Sequence, residues 1–367
     1  METVRAMLDT FDETDTRSNQ ADWLELSLIL SPETELSSSA MVRLLGLIEE
    51  SPEFGSEYDP ESDENLDEEI LESRVDQLVQ DIWAELSYRS ETLLDAYPFQ
   101  LVPVGQSFVL SKKAAVGGDQ VNAHRVYAAC LLITAARRSM IQRQAEGDEL
   151  DALVRTSARV LQILAVKSSA HFVAGDAYWF GWPRIDEATS YTDALRRLVT
   201  LLGHGKLKIA RPEWSDAAEK DGTVDVVAWH SFPDHTYGSL VMYGQVASGL
   251  NWRSKPIHSF IEGYFHDWFE DNPSWHWLPA MFIPFNLHAE ARRKNGYDIV
   301  QVAVGTARRE ERTYGIVFDR MRMAALNLVD ETAHCEPEGE HMRQHDSLVR
   351  EVDEWLESVT AYASRSS

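Results

Sequence analysis

The spacing of apolar positions changes character near residue 170. Before that point helical spacing dominates. Residues 21–48 read as two short amphipathic helices separated at Pro32, with Ser37, Ser38 and Ser39 available as N-caps for the second. Ile70, Leu71, Val75, Leu78, Val79, Ile82, Trp83 and Leu86 recur at intervals of three and four and predict a helix over 70–93. "YPFQLVPVGQSFVLSK" (97–112) predicts a short β-hairpin. "HRVYAACLLITAARRSMIQRQ" (124–144) reads as a buried helix. Residues 148–166, with Leu150, Leu153, Val154, Val160, Leu161, Ile163 and Leu164, read as an amphipathic one.

After residue 170, helices and strands alternate. "YTDALRRLVTLLGHGK" (191–206) predicts a helix that turns Leu195, Leu198, Val199, Leu201 and Leu202 inward and ends at Gly203, a natural C-cap. "VDVVAW" (224–229) and "SLVMYGQVA" (239–247) predict a hairpin turning around Pro233 and Asp234. Further strands are expected at 280–285, 297–305 and 314–318, and helices at 257–270, 287–294, 319–330 and 346–364. This order argues for an α/β (α+β) fold. The chain divides into an N-terminal helical segment (1–48), a linker (49–69), a helical domain (70–168), a mixed domain (169–335) and a C-terminal helix (336–367).

Charge sharpens that division. The net charge is −26 over 367 residues. Residues 1–75 hold 21 acidic against 4 basic side chains, hence −17, and the remainder carries only −9. The acidic stretch 49–69, with Pro52, Gly55 and Pro60, reads as a solvated linker or as an acidic arm that docks a partner. Residues 201–260 balance six basic against six acidic side chains. A protein that binds nucleic acid unaided shows a basic footprint, and none is visible at the level of the whole chain. Nucleic acid as substrate therefore requires a local patch or a partner to supply the positive field. No run of about 18 apolar residues is present, so no membrane span is expected. The acidic start is no signal peptide. Two isolated cysteines, Cys130 and Cys335, suggest a reducing compartment, with the cytoplasm as the default.

Candidate chemistry lies in "DGTVDVVAWHSFPDHTYGSLVMYGQVASGLNWRSKP" (221–256). A carboxylate inside a buried strand is costly unless it is hydrogen-bonded, paired or bound to a metal. Asp225 is such a residue, and Gln245 places an amide oxygen on the next strand. Mg²⁺ takes oxygen ligands, keeps several waters and needs only one or two protein carboxylates. Lys255, ten residues further on, can neutralise charge developing on a phosphate or polarise a metal-bound water. An acid, an amide and a lysine form a minimal phosphodiesterase set. The bland reading is that Asp225 is a hydrogen-bonded structural carboxylate and Gln245 a strand-end amide.

This stretch resembles the restriction-endonuclease-like, PD-(D/E)xK superfamily in its Gln-containing variants, which include type IV restriction enzymes and effectors of bacterial anti-phage defence. "FGWPR" (180–184), "DGTVDVVAW" (221–229), "GQVASGLNWRSK" (244–255) and "GIVFDRMRMAAL" (315–326) carry the likeness, which spans roughly two fifths of the chain. The resemblance implies a mixed sheet flanked by helices and a Mg²⁺ (or Mn²⁺) cofactor. It implies a nucleic-acid substrate, DNA before RNA, and a protein partner encoded in the same defence operon, such as an ATPase or a DNA-binding subunit. Asp225 would be the central metal-binding carboxylate, and Gln245 would stand at the second acidic position. The superfamily's lysine normally follows that position by two residues, where this chain has Ala247; Lys255, or else Lys220, would replace it. An upstream helix acid is also implied, with Asp193 and Glu187 ahead of Asp151, and Asp221 as a further acid within reach. Ala247 keeps open a second reading, a catalytically inactive nuclease fold serving as an adaptor or structural subunit.

Other features carry less. His230 and His235 are five apart but flank a turn and have no second ligand pair, so zinc is not expected. The aromatic series Trp252, Tyr264, Phe265, Trp268, Phe269, Trp275, Trp277, Phe282 and Phe285 suggests a base-stacking platform, but its helical spacing at 264–269 reads better as core. No phosphate-cradling Gly-Lys-Ser/Thr loop, GxGxxG or nucleophile elbow is present. The arginines of 292–296, 307–315 and 318–323 either line a groove for DNA or solvate helix faces.

Overall fold

The computed structural model describes residues 8–9, 15–44, 63–105, 107–143, 149–184, 188, 190–213, 215, 223–234, 238–289, 298–328 and 340–365. The N-terminal part comprises α1 (Arg17–Leu30), β1 (Glu35–Ser37), α2 (Ser38–Leu44), α3 (Asp63–Leu93), β2 (Phe99–Val104), β3 (Ser107–Lys112), α4 (Gly118–Arg137) and α5 (Glu149–Val173). β2 and β3 form the expected hairpin, and β1 adds to it antiparallel in the order β1-β3-β2. Thr16 caps α1 by accepting the Asn19 N–H at 3.3 Å, and Ser37 accepts the Ala40 N–H at 3.1 Å, as the serine cluster predicts. Helix α3 begins at Asp63. Residues 63–69 therefore continue the helix instead of ending a linker, because acidic side chains favour the positive N-terminal end of a helix. Residues 49–62 lie outside the described residues.

The second part comprises β4 (Asp176–Trp179), α6 (Tyr191–Leu202), β5 (Lys206–Leu207), β6 (Val226–His230), β7 (Leu240–Val246), α7 (Ile257–Phe260), β8 (Phe269–Asp271), β9 (Trp277–Phe282), α8 (Ile299–Tyr314), β10 (Ile316–Phe318), α9 (Arg320–Leu326) and α10 (Glu340–Ala363). The main sheet has the order β10-β9-β7-β6-β4. β10, β9 and β7 run parallel, while β6 pairs antiparallel with both β7 and β4. This is a mixed α/β architecture, as the alternation of elements predicts.

Three expectations are corrected. Residues 298–305 do not form a strand. Asp298 caps α8 by accepting the Gln301 N–H at 2.7 Å. Val300 and Val304 mimic strand alternation but stay exposed, while Thr306, Glu310 and Tyr314 bury on the inner face. The helix expected at 257–270 is α-helical only over 257–260, continues as wider and tighter turns to 268 and ends in β8. Of the helix expected at 287–294, residues 287–289 form a turn and 290–294 lie outside the described residues. The edge strand β4 was not expected, since four residues between a helix and a loop offer too short a pattern to read.

Helix α5 supplies one cover of the main sheet. Its Leu161, Leu164 and Ala165 share an apolar cluster with Val226, Ala228, Met242 and Phe282, and α10 packs behind it. On the other face Val227, Trp229, Val241 and Tyr243 meet Leu195 and Leu198 of α6 and Ile257, Ile261 and Phe265. β6 and β7 are thus covered on both faces, which is why they read as unbroken apolar runs.

A buried ionic network ties α1 to α3, α4 and α9. The Arg320 guanidinium donates to both Asp22 oxygens at 2.7 Å and to the Thr134 hydroxyl at 3.1 Å. Arg89 donates to Asp22 at 2.8 Å, to Glu85 at 3.0 Å and to the Ser18 carbonyl and hydroxyl at 2.8 Å. Glu25 accepts from the Tyr97 and Tyr127 hydroxyls at 2.6 and 2.9 Å. His288 meets Glu85 at 2.9 Å. Burial pushes the Glu25 carboxyl up. For Glu85 burial acts the same way but is outweighed by Arg89 and His288, which bring it down to about 2. Arg320 is therefore neither a groove-lining nor a solvated arginine. Arg308 and Arg312 do lie on the exposed face of α8. No helix among the described residues is long and apolar enough to cross a membrane.

Candidate functional site

Asp225 stands at the entrance to β6. Its own N–H donates to the Gly244 carbonyl at 2.9 Å, and its carbonyl accepts from the Phe180 and Gly181 N–H groups at 2.9 and 2.8 Å. The backbone is thus fixed from both neighbouring segments. The side chain is fixed as well: Oδ1 accepts from Gln162 Nε2 at 2.9 Å, and Oδ2 from the Val246 N–H at 2.7 Å. Two glycines make this approach feasible. A Cβ on Gly181 would lie 2.6 Å from Asp225 Oδ1 and 2.7 Å from Gln162 Nε2, and one on Gly244 would lie 2.7 Å from the Phe282 ring. These are the glycines of "FGWPR" and "GQVASG".

Gln245 sits on β7 opposite Met281 of β9. It is 5% exposed, and among the described residues its Oε1 has no hydrogen-bond partner. Buried polar atoms are nearly always satisfied, so an orphaned acceptor next to an anchored carboxylate calls for a ligand. Lys255 arrives from the turn Trp252–Ser254. Trp252 is fully buried, 4.9 Å from the Tyr314 ring and 4.3 Å below the Arg253 guanidinium, and Arg253 binds Glu310 at 3.2 Å. That anchoring presents Lys255 at the surface, and among the described residues its ammonium has no ion-pair partner.

One cavity of about 770 Å³ joins these groups. Asp225, Gln245, Gln162, Lys255, Phe260 and Tyr264 all line it. The structure therefore brings together Asp225, Gln245 and Lys255, the three residues singled out as catalytic from the sequence. It does not bring Asp193 to them. Asp193 is exposed on the first turn of α6, where it accepts from Ser190 at 2.6 Å and Arg196 at 2.7 Å, and these two partners hold its carboxyl below the ordinary range. It pairs with the Ser190 cap of α6 and with Arg196, and it does not line the cavity. Asp151 pairs with Arg143 at 3.3 Å. Asp221, Glu187 and Lys220 lie outside the described residues.

Ala247 is 2% exposed and packs with Trp252, Met281 and Ile283. A lysine there would enter an apolar cluster. Gln162 was not anticipated. Its signal was a single amide within the apolar run "VLQILAV" of α5.

Among the described residues no group of three or more His, Cys, Asp or Glu side chains is placed to hold a metal ion. The donor set is the Asp225 carboxylate, already held by Gln162 and the Val246 N–H, plus the amide oxygen of Gln245, which has no partner among the described residues. That set fits a largely hydrated Mg²⁺ or Mn²⁺ ion, which keeps several waters and accepts few protein ligands, and it does not fit a zinc cage. Comparison with protein-family models, curated proteins and solved structures found no match to this chain.

Proposed function

We propose that the protein is a Mg²⁺- or Mn²⁺-dependent nuclease of the restriction-endonuclease-like kind, a cytoplasmic effector of bacterial anti-phage defence that hydrolyses phosphodiester bonds, in DNA before RNA. The observation that carries this reading is the orphaned Gln245 Oε1 in the same cavity as Asp225 and Lys255. Asp225 and Gln245 would hold the ion. When bound, it supplies Lewis-acid polarisation of the phosphate and an activated water. The chain's own residues do the positioning. Gln162 and the Val246 N–H keep the Asp225 carboxylate in one rotamer, so no reorganisation is needed when the site is loaded. The Lys255 ammonium neutralises charge that develops on the phosphate oxygens. A net charge of −26 opposes the approach of DNA, so a partner from the same operon, an ATPase or a DNA-binding subunit, delivers the substrate.

A second reading rests on Ala247. With the customary lysine position filled by apolar packing, the fold serves as an inactive adaptor of a multi-protein defence complex. One experiment separates the two. Plasmid is incubated with the full-length protein and Mg²⁺ or Mn²⁺, alone and with the products of the neighbouring genes, for wild type, Asp225→Ala and Lys255→Ala. Cleavage lost in both variants supports the nuclease. Cleavage indifferent to both sinks the site assignment. Absent cleavage together with full biological activity of Asp225→Ala establishes the adaptor.

A further inference from the structure

The aromatic residues of the segment that follows Lys255 divide into two sets. Phe265, Trp268 and Phe269 are buried in the cluster behind the sheet, as the helical spacing predicts. Phe260 and Tyr264 are half-buried and line the cavity instead, with ring centroids 4.3 Å apart and planes tilted by 37°. The segment also departs from α-helical winding: the chain passes from α7 into a π-turn at Ile261–Phe265 and then a tighter turn at His266–Trp268. Such π-turns are rare and concentrate at functional sites, because they re-aim side chains at a cost in backbone geometry. Asp225, Gln245 and Lys255 line the same cavity. A phosphate seated near Lys255 and Asp225 leaves its attached nucleoside facing two aromatic rings.

From this we infer that the cavity accepts one unstacked nucleotide of a single-stranded nucleic acid, whose base stacks on the Phe260–Tyr264 pair. The inference rests on the nuclease reading for the phosphate side and on the aromatic wall alone for the base side. A base in a duplex shows only its edge in a groove, and its faces are covered by its neighbours. An aromatic wall inside a cavity can meet a base face only when the strand is single or the base is extruded. The volume agrees, since about 770 Å³ is of the size that encloses a small ligand and not a duplex. Charge points the same way. A duplex carries about twice the charge per unit length of a single strand, and a chain of net charge −26 tolerates the weaker charge better.

The test is binding, read separately from cleavage. Fluorescence anisotropy of a fluorescein-tagged oligothymidylate is measured with the full-length protein and Ca²⁺ in place of Mg²⁺. A duplex and an abasic strand of equal length serve as competitors, and a denaturing gel checks that the probe stays intact. The expected result is that the single strand binds more tightly than either competitor. Tyr264→Leu and Phe260→Leu should each weaken it by about 5- to 150-fold, while Tyr264→Phe leaves it unchanged. Thermal melting verifies folding, and if Phe260→Leu does not fold, the two Tyr264 variants decide. Equal binding of the abasic strand, tighter binding of the duplex, indifference to Tyr264→Leu, or no binding of the single strand overturns the proposal. Aromatic-dependent binding without cleavage in any metal would leave this inference standing and remove the nuclease reading. Asp225-dependent cleavage with binding indifferent to the rings would do the reverse.

Discussion

Two groups of buried polar side chains, the network around Arg89 and Arg320 and the pair Asp225 and Gln245, are built on opposite terms. Around Asp22, Arg89 and Arg320 the charges meet one another in closed, short contacts. The guanidinium of Arg320 grips Asp22 with two parallel bonds, the arrangement that best offsets desolvation. Around Asp225 the carboxylate is equally well held, but its neighbour Gln245 keeps an unsatisfied oxygen, Lys255 faces solvent, and all three line one cavity. A buried charge with a complete set of partners stabilises one arrangement of the chain. A buried acceptor left without one is a standing cost that a bound ligand removes. Burial of polar groups alone therefore does not mark a site; incomplete satisfaction next to open volume does.

The comparison can be broken experimentally, beginning with the network. Arg320→Met leaves Asp22 buried with one guanidinium fewer, and should lower unfolding free energy by about 3–5 kcal/mol in denaturant melts while leaving cleavage per folded molecule intact. The network also sets an acid limb. Because Glu85 is depressed to about 2 from an ordinary value of 4.5, its contribution is complete above pH 4.5 and is lost as pH falls toward 2. Glu85→Gln should flatten stability over that window. Glu25, raised by burial, has the opposite sign and costs stability as pH rises above its ordinary value, so Glu25→Gln should gain relative to wild type on that side.

The site should respond differently. Asp225→Asn, which keeps the shape of the side chain, should reduce cleavage about a thousandfold, with a melting temperature close to wild type. Lys255→Ala should reduce it about a hundredfold and leave stability unchanged, since the side chain is exposed. Gln245→Leu is the sharpest test of the contrast and the smallest in energy. Removing an unsatisfied buried amide should raise stability by about 1–2 kcal/mol while abolishing metal-stimulated cleavage. A loss of stability in Gln245→Leu would show that the amide has a structural partner and would place the site in the same class as the network.

Much of this arrangement was legible in the chain because it depends on local pattern. The hairpin of β6 and β7, the cap of α6 at Gly203, and Asp225 and Gln245 as polar interruptions of apolar runs all follow from residue type and spacing. The aromatic series was rightly read as core for Trp252, Phe265, Trp268, Phe269, Phe282 and Phe285. Alternation misled at 298–305, because the same Ile and Val residues suit a strand or one face of a helix and only the Asp298 cap decides. Asp193 misled for a related reason: an acid on the first turn of a helix is as useful to the helix as to a metal.

What the sequence determined by itself is the set of elements and the identity of the residues that interrupt them, since period and side-chain chemistry act over a few positions. Which interruptions were closed and which left open was decided only by the tertiary structure. Arg320 and Asp22 are 298 residues apart, and Gln162 and Asp225 are 63 apart. No local pattern encodes whether such partners meet, because meeting depends on how α1, α5 and α9 pack in the tertiary fold. The same packing leaves Gln245 facing a cavity instead of a partner, and so separates the site from the scaffold.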